Sequence, residues 1–196
     1  MKTIHERLDI LEEKMRSENF RENKGLGNEV GYYVFDYEPE EELIVRRRIE
    51  QLASTDTQMK FGYELIIYDL YELMIQLLKE EDAFEDLLEL EETDGTEYVF
   101  DTISDTLKFD DKDSLIVKYI SDKEHTPEDS VVLLTGVGKC FPIIRSHKIL
   151  NNLHQVMDHC PVIMFYPGRY DWNQLRIFGE LKDDNYYRAF PIVDRK

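Results

Sequence analysis

Hydrophobic positions recur along this chain at two spacings. Ile4, Leu8, Leu11 and Met15 stand three or four residues apart, which predicts an amphipathic helix with one apolar stripe. Thr3, with Glu6 three residues on, predicts a capping box at its start. Gly31-Tyr32-Tyr33-Val34-Phe35-Asp36-Tyr37 is dense in aromatic and β-branched residues, and predicts the first strand. Pro39 with Glu40, Glu41 and Glu42 predicts a helix start, because proline suits a first turn and carboxylates suit the positive end of the dipole. Leu65 to Asp69 reads as a strand, with Asp69 as the cap of a helix carrying Leu70, Met74, Leu77 and Leu78. Residues 80–92 read as one acidic helix with Phe84, Leu87 and Leu88 on a single stripe. Thr93-Asp94-Gly95-Thr96 is a turn. The stretch from Tyr98-Val99-Phe100 through Leu107 is short and ambiguous, and residues 121–129 form a polar loop around Pro127.

The clearest pattern lies in the last third. Val131-Val132-Leu133-Leu134 is a short continuous apolar run ended by Thr135, Gly136 and Gly138, as expected of a strand buried on both faces. Pro142 is placed in the first turn of a helix that carries Ile143, His147, Leu150 and Met157 and ends before Pro161. Val162 to Phe165 is a second buried strand, closed by Pro167-Gly168. Strand, helix, strand in this order makes a crossover between parallel strands. Lys182 to Asn185 reads as a turn into a last strand, Tyr186 to Val193. The expected fold is a single α/β domain over residues 1–196, with a mostly parallel central sheet and helices on both faces.

Charge changes the picture. The chain of 196 residues carries 24 Lys/Arg and 42 Asp/Glu, a formal net of −18. Residues 131–196 hold nine Lys/Arg and six Asp/Glu, so the deficit lies entirely in the first 130 residues. Such a body repels phosphate backbones and attracts basic partners, so direct DNA binding is not expected. No apolar run reaches the ~18 residues of a membrane span. The first residues lack a signal core, and two cysteines, Cys140 and Cys160, are too few for a disulfide framework. Both read as free thiols in a cytoplasmic protein.

Chemistry is sparse. Gly136-Val137-Gly138-Lys139 resembles a phosphate loop, but Leu133 stands where the first glycine belongs and Cys140 where Ser or Thr would hold magnesium. The glycines instead read as a tight turn with positive φ. A regulatory nucleotide- or nucleic-acid-binding module built on that turn is the alternative reading. Asp110, Asp111, Lys112 and Asp113 lack the spacing, glycine and final glutamate of a calcium loop. His154, His159 and Cys160 lack a second paired ligand set for zinc. No metal, cofactor or catalytic residue is expected. His147 shares the apolar face of its helix and reads as a hydrogen-bonded, half-buried side chain. In open parallel sheets, partners meet the carboxyl ends of the strands. There the chain places Arg145, His147, Tyr170, Asp171, Trp172 and Arg176, around turns at Thr135, Gly136, Gly138 and Gly168. Trp, Tyr and Arg are the residue types enriched in interface hot spots, so this rim is the candidate partner surface.

Several blocks here, T-G-V-G, F-P-x-x-R-S-H, L-N-N-L, P-G-x-Y-D and K-D-D-N-Y-Y-R-A-F-P, between Thr135 and Pro191, resemble the BrxB family of BREX (bacteriophage exclusion) systems. The resemblance implies a small component of a phage-defence machinery. It implies a non-catalytic assembly factor that contacts PglZ, the phosphatase-like component, and through it other BREX proteins. It supplies no family catalytic residues to carry over.

Overall fold

The computed structural model describes residues 2–21, 31–109, 113–171, 174–178, 181–185 and 189–195. Seven strands are described: β1 (Tyr32–Tyr37), β2 (Glu64–Asp69), β3 (Ser130–Thr135), β4 (Val162–Tyr170), β5 (Gln174–Ile177), β6 (Leu181–Asn185) and β7 (Phe190–Pro191). Five of them form a parallel sheet in the order β2-β3-β4-β1-β7. The expected α/β architecture is therefore present, with β5 and β6 added as an antiparallel extension of β4.

Alternate residues of each parallel strand feed two separate cores, because successive side chains point to opposite faces. Tyr32, Val34, Val132, Leu134, Val162, Met164 and Tyr166 face one core. Phe35, Tyr37, Val131, Leu133, Ile163 and Phe165 face the other. The second core is closed by α1 (Ile4–Met15), α2 (Glu18–Arg21), α3 (Glu42–Ala53) and α4 (Thr57–Phe61). The first is closed by α5 (Leu70–Glu80), α6 (Phe84–Asp94), α7 (Thr96–Leu107), α8 (Leu115–Ser121), α9 (Val137–Cys140) and α10 (Ser146–Val156). Two-sided cover explains why β3 and β4 read as unbroken apolar runs.

Local signals hold where they are chemical. Thr3 and Glu6 form the reciprocal capping box, and Ile4, Leu8, Leu11 and Met15 are all buried beneath it. Asp69 accepts from the backbone N–H groups of Tyr71 and Glu72 at 3.1 and 3.3 Å, capping α5. Pro39 opens a short 3-10 turn that leads into α3. Cys140 and Cys160 are free and buried.

Six expectations need correction. Pro142 is not in a helix: α10 begins at Ser146, since Phe141, forced out of the α region by the following proline, is extended. Pro167-Gly168 does not close β4, which pairs with β1 through Pro167 and then changes partner, Gly168 to Tyr170 running antiparallel to β5. Proline loses only its N–H, and the Pro167 carbonyl still accepts from Phe178 N–H at 2.9 Å. Residues 182–185 belong to β6 rather than a turn, their backbone groups drawn into pairing with β5. The last strand pairs only over Phe190–Pro191, and residues 186–188 lie outside the described ones. The acidic stretch 80–92 is not one helix, because the chain breaks at residues 81–83, with Asp82 at φ 55°. Of the two turn glycines near Lys139, only Gly136 takes a positive φ, 72°; Gly138 lies inside α9. The ambiguous stretch from Tyr98 to Leu107 is helix α7. Residues 110–112 of the acidic turn, and residues 25–28, which were expected to loop, are outside the described residues.

Candidate functional site

The rim at the carboxyl ends of β1 to β4 has two parts, separated by α9. On the α3 side lies a hollow of about 430 Å³, with Val45, Ile67 and Phe165 among its lining and Arg46, Asp69 and Lys139 at its polar edge. A somewhat larger hollow, about 530 Å³, lies at the opposite, amino end of the strands. It is lined by the acidic Glu18, Glu128, Asp129 and Asp158 together with Tyr63, Val131, His159 and Pro161.

The carboxyl-end turn does not suit a phosphate. The Asp69 carboxylate that caps α5 stands against Gly136, where a Cβ would lie 2.2 Å from Asp69 Oδ1. Lys139 donates to Asp69 Oδ2 at 2.7 Å, with Glu72 at 3.6 Å. Burial disfavours the Lys139 ammonium, but its bond to Asp69 outweighs this and raises its pKa above the usual lysine value. The only cation of the turn is thus already engaged, and a carboxylate occupies the place a phosphate would take.

The other part of the rim is aromatic. Arg145, exposed at the N-cap position of α10, lies over the Phe141 ring with its guanidinium carbon 5.4 Å from the centroid. Phe141 meets Phe178 edge-on at 5.9 Å. Phe178 follows β5 and is 41% exposed. Gly138 fits beneath: a Cβ there would be 3.1 Å from Pro167 and 3.3 Å from the Phe178 ring. Further along the β4–β5 arm, Asp171 accepts from the Gln174 N–H at 3.0 Å and reaches Arg176 at 4.0 Å.

The six rim residues expected from sequence are therefore divided. Arg145, Asp171 and Arg176 are at the surface or near it. His147 is buried in the first turn of α10, deeper than its half-buried expectation. Tyr170 is buried too, its hydroxyl donating to the Ala189 carbonyl at 2.7 Å. Both support the rim from below. Trp172 lies outside the described residues. Thr135 donates to the Tyr68 carbonyl at 3.4 Å across β2 and β3. Gly168 lets two backbones approach, since a Cβ there would be 2.1 Å from the Arg176 carbonyl oxygen.

Sequence reasoning missed what anchors this arm. Asp36 on β1 accepts from Arg7 at 2.9 Å, from Arg195 at 2.8 Å and from the Tyr170 N–H at 3.1 Å. Arg195 also bonds Glu38 and the Gly168 carbonyl. The available signal was a single carboxylate inside the aromatic run of β1, because a buried charge must be paired. Phe178 carried no such signal.

Burial pushes the Cys140 thiol up to about 12 and the Cys160 thiol up to about 11, so neither supplies a thiolate at neutral pH. Among the described residues no group of three or more His, Cys, Asp or Glu is placed to hold a metal ion. No described helix is long and apolar enough to cross a membrane.

Comparison with known proteins agrees with the sequence blocks. Residues 66–192 match the family described as "BREX protein BrxB". A protein of that description from Bacillus cereus (strain H3081.97) is 45% identical over 197 residues, covering all of both chains. Another, from Escherichia coli O9:H4 (strain HS), is 30% identical over 187 residues, or 95% of this chain and 90% of the relative. No solved structure matches.

Proposed function

The chain belongs to the BrxB family of BREX proteins, and from that premise we propose that it serves phage defence as a non-catalytic assembly protein that contacts the PglZ component. The observation that carries this reading is the exposed Arg145–Phe141–Phe178 cluster at the strand-end rim. A partly exposed aromatic pair under an arginine offers apolar area and a directed cation at once, the combination that dominates interface energies. The packing beneath it supports the same reading: the Tyr170 hydroxyl donates to the Ala189 carbonyl, and Gly168 lies against the Arg176 backbone. The engagement of Lys139 by Asp69 at the Gly136 turn favours this reading over a nucleotide-binding one.

The test is co-purification with tagged PglZ from the same system, at low and high salt. A stoichiometric complex is expected. Alanine at both Arg145 and Phe178 is expected to weaken it by about tenfold or more, since each tenfold corresponds to ~1.4 kcal/mol. A complex indifferent to both changes, or no complex between two folded proteins, overturns the assignment.

A further inference from the structure

A second surface lies away from this rim. Between Glu80 and Leu107 the chain holds 12 Asp/Glu and no Lys or Arg. All twelve carboxylates are exposed on the end of α5, on α6 and α7, and on the link between α5 and α6. Among the described residues none of them forms an ion pair, whereas acidic residues elsewhere, such as Glu12 and Asp36, are bridged by arginine or lysine. The spacing makes this costly. Glu85 and Glu89 on α6, and Glu97, Asp101 and Asp105 on α7, stand four apart, where like charges destabilise a helix.

The same two helices expose large apolar side chains. Tyr98 is 62% and Leu88 46% exposed. Their helices are otherwise well seated, with Leu87, Val99, Ile103 and Leu107 buried in the core. Helical spacing puts Leu88 on a face with Glu85, Glu91 and Glu92, and Tyr98 on a face with Asp101. Packing of the fold requires neither the exposed rings and methyls nor the unneutralised columns around them.

We propose that the outer face of α6 and α7 is a docking surface for a Lys/Arg-rich face of another protein, with Tyr98 and Leu88 as its apolar anchors. Charge complementarity selects this occupant. A second copy of the chain would meet acid with acid, and a nucleic acid would meet acid with phosphate. A basic protein face neutralises both helical columns and covers the two anchors in one step. This surface is separate from the Arg145–Phe178 rim and stands or falls independently of it.

The experiment titrates the full chain with each of the other purified proteins of its own BREX system, at several salt concentrations. Three variants are compared: Tyr98→Ala with Leu88→Ala; Glu85→Gln with Glu91→Gln, Glu92→Gln and Asp101→Asn; and Phe178→Ala on the rim. One component is expected to bind more weakly as salt rises, because surface charge is screened beyond ~10 Å at 0.1 M. The apolar pair is expected to cost about tenfold at every salt. The charge-neutral set is expected to flatten the salt dependence, and Phe178→Ala to leave that dependence in place. All exchanged positions on α6 and α7 are exposed, and urea midpoints no lower than that of the natural chain confirm folding. Binding that ignores both the apolar and the charge-neutral variants of α6 and α7, or no binding by any component, overturns the proposal. A loss seen only with Phe178→Ala overturns it too, while leaving the rim reading intact.

Discussion

Two acidic regions of this molecule are treated in opposite ways. At the end of β1, Asp36 is buried and bridges Arg7 of α1, Arg195 near the carboxyl terminus and the backbone of β4. On α6 and α7 the carboxylates are exposed and, among the described residues, without cationic partners. The same chemical group is structural in one place and available in the other. Geometry decides which: Asp36 sits on a strand covered on both faces, where an unpaired charge would be prohibitive. The helical carboxylates face water, which solvates them without any partner.

The sharpest way to break this comparison is Asp36→Ala. It strands Arg7, which is 4% exposed and also donates to the Val193 carbonyl at 3.1 Å. Removing one member of a buried pair costs about 3–5 kcal/mol, so a large drop in the urea midpoint is expected. A loss under about 1 kcal/mol would mean that the two regions differ only in appearance. Loss of the terminus from its seat should also loosen the β4–β5 arm, and proteolysis within residues 171–178 is expected to speed up.

A middle case sharpens it. Glu12 joins α1 to Arg48 of α3 and Lys60 of α4, each at 2.8 Å. Burial alone would raise its pKa, but the bonds from Lys60 and Arg48 prevail and hold it below the usual carboxylate value. Its folded pKa is thus below its unfolded one. The stability it adds is complete above the unfolded value of ~4.3 and disappears as pH falls through the folded value. Glu12→Gln is expected to cost on the order of 1 kcal/mol at neutral pH, and to flatten the urea midpoint's decline in acid. An unchanged acid limb would remove Glu12 from the paired class.

The smallest expected effect is on the other side. Replacing Glu85, Glu91, Glu92 and Asp101 by their amides should alter stability by no more than about 0.5 kcal/mol per site, and in the stabilising direction as repulsion falls. Added salt should stabilise the natural chain slightly and the neutralised one less. Destabilisation on neutralisation would show that these carboxylates hold the fold together after all.

Much of this was legible beforehand because it is local. Thr3 and Glu6, Asp69 before Leu70, and the apolar runs of β3 and β4 each identify themselves within a few residues, and each stands where it was expected. Of the rim, Arg145, Asp171 and Arg176 could be placed at the strand ends, but the depth of His147 and Tyr170 could not. Depth depends on what α10 and the β4–β5 arm pack against, which no short window contains. The split near Asp82 and the strand at residues 181–185 were missed for a related reason. Acidic sequence is compatible with helix, turn or edge strand, and the neighbouring element chooses among them.

Periodicity along the chain by itself determined the α/β class, the two buried runs of the last third and the stripe of α1, because burying alternate or every third-to-fourth residue is the only way such patterns leave water. The concentration of negative charge was equally a property of the sequence. Tertiary structure alone decided that Asp36 would draw together Arg7 and Arg195, residues 188 positions apart in the chain. It alone brought Phe141 of the loop before α10 against Phe178 after β5. Pairing of this kind is set by the order of strands in the sheet, and strand order follows from how whole layers pack, a long-range condition that local spacing does not encode.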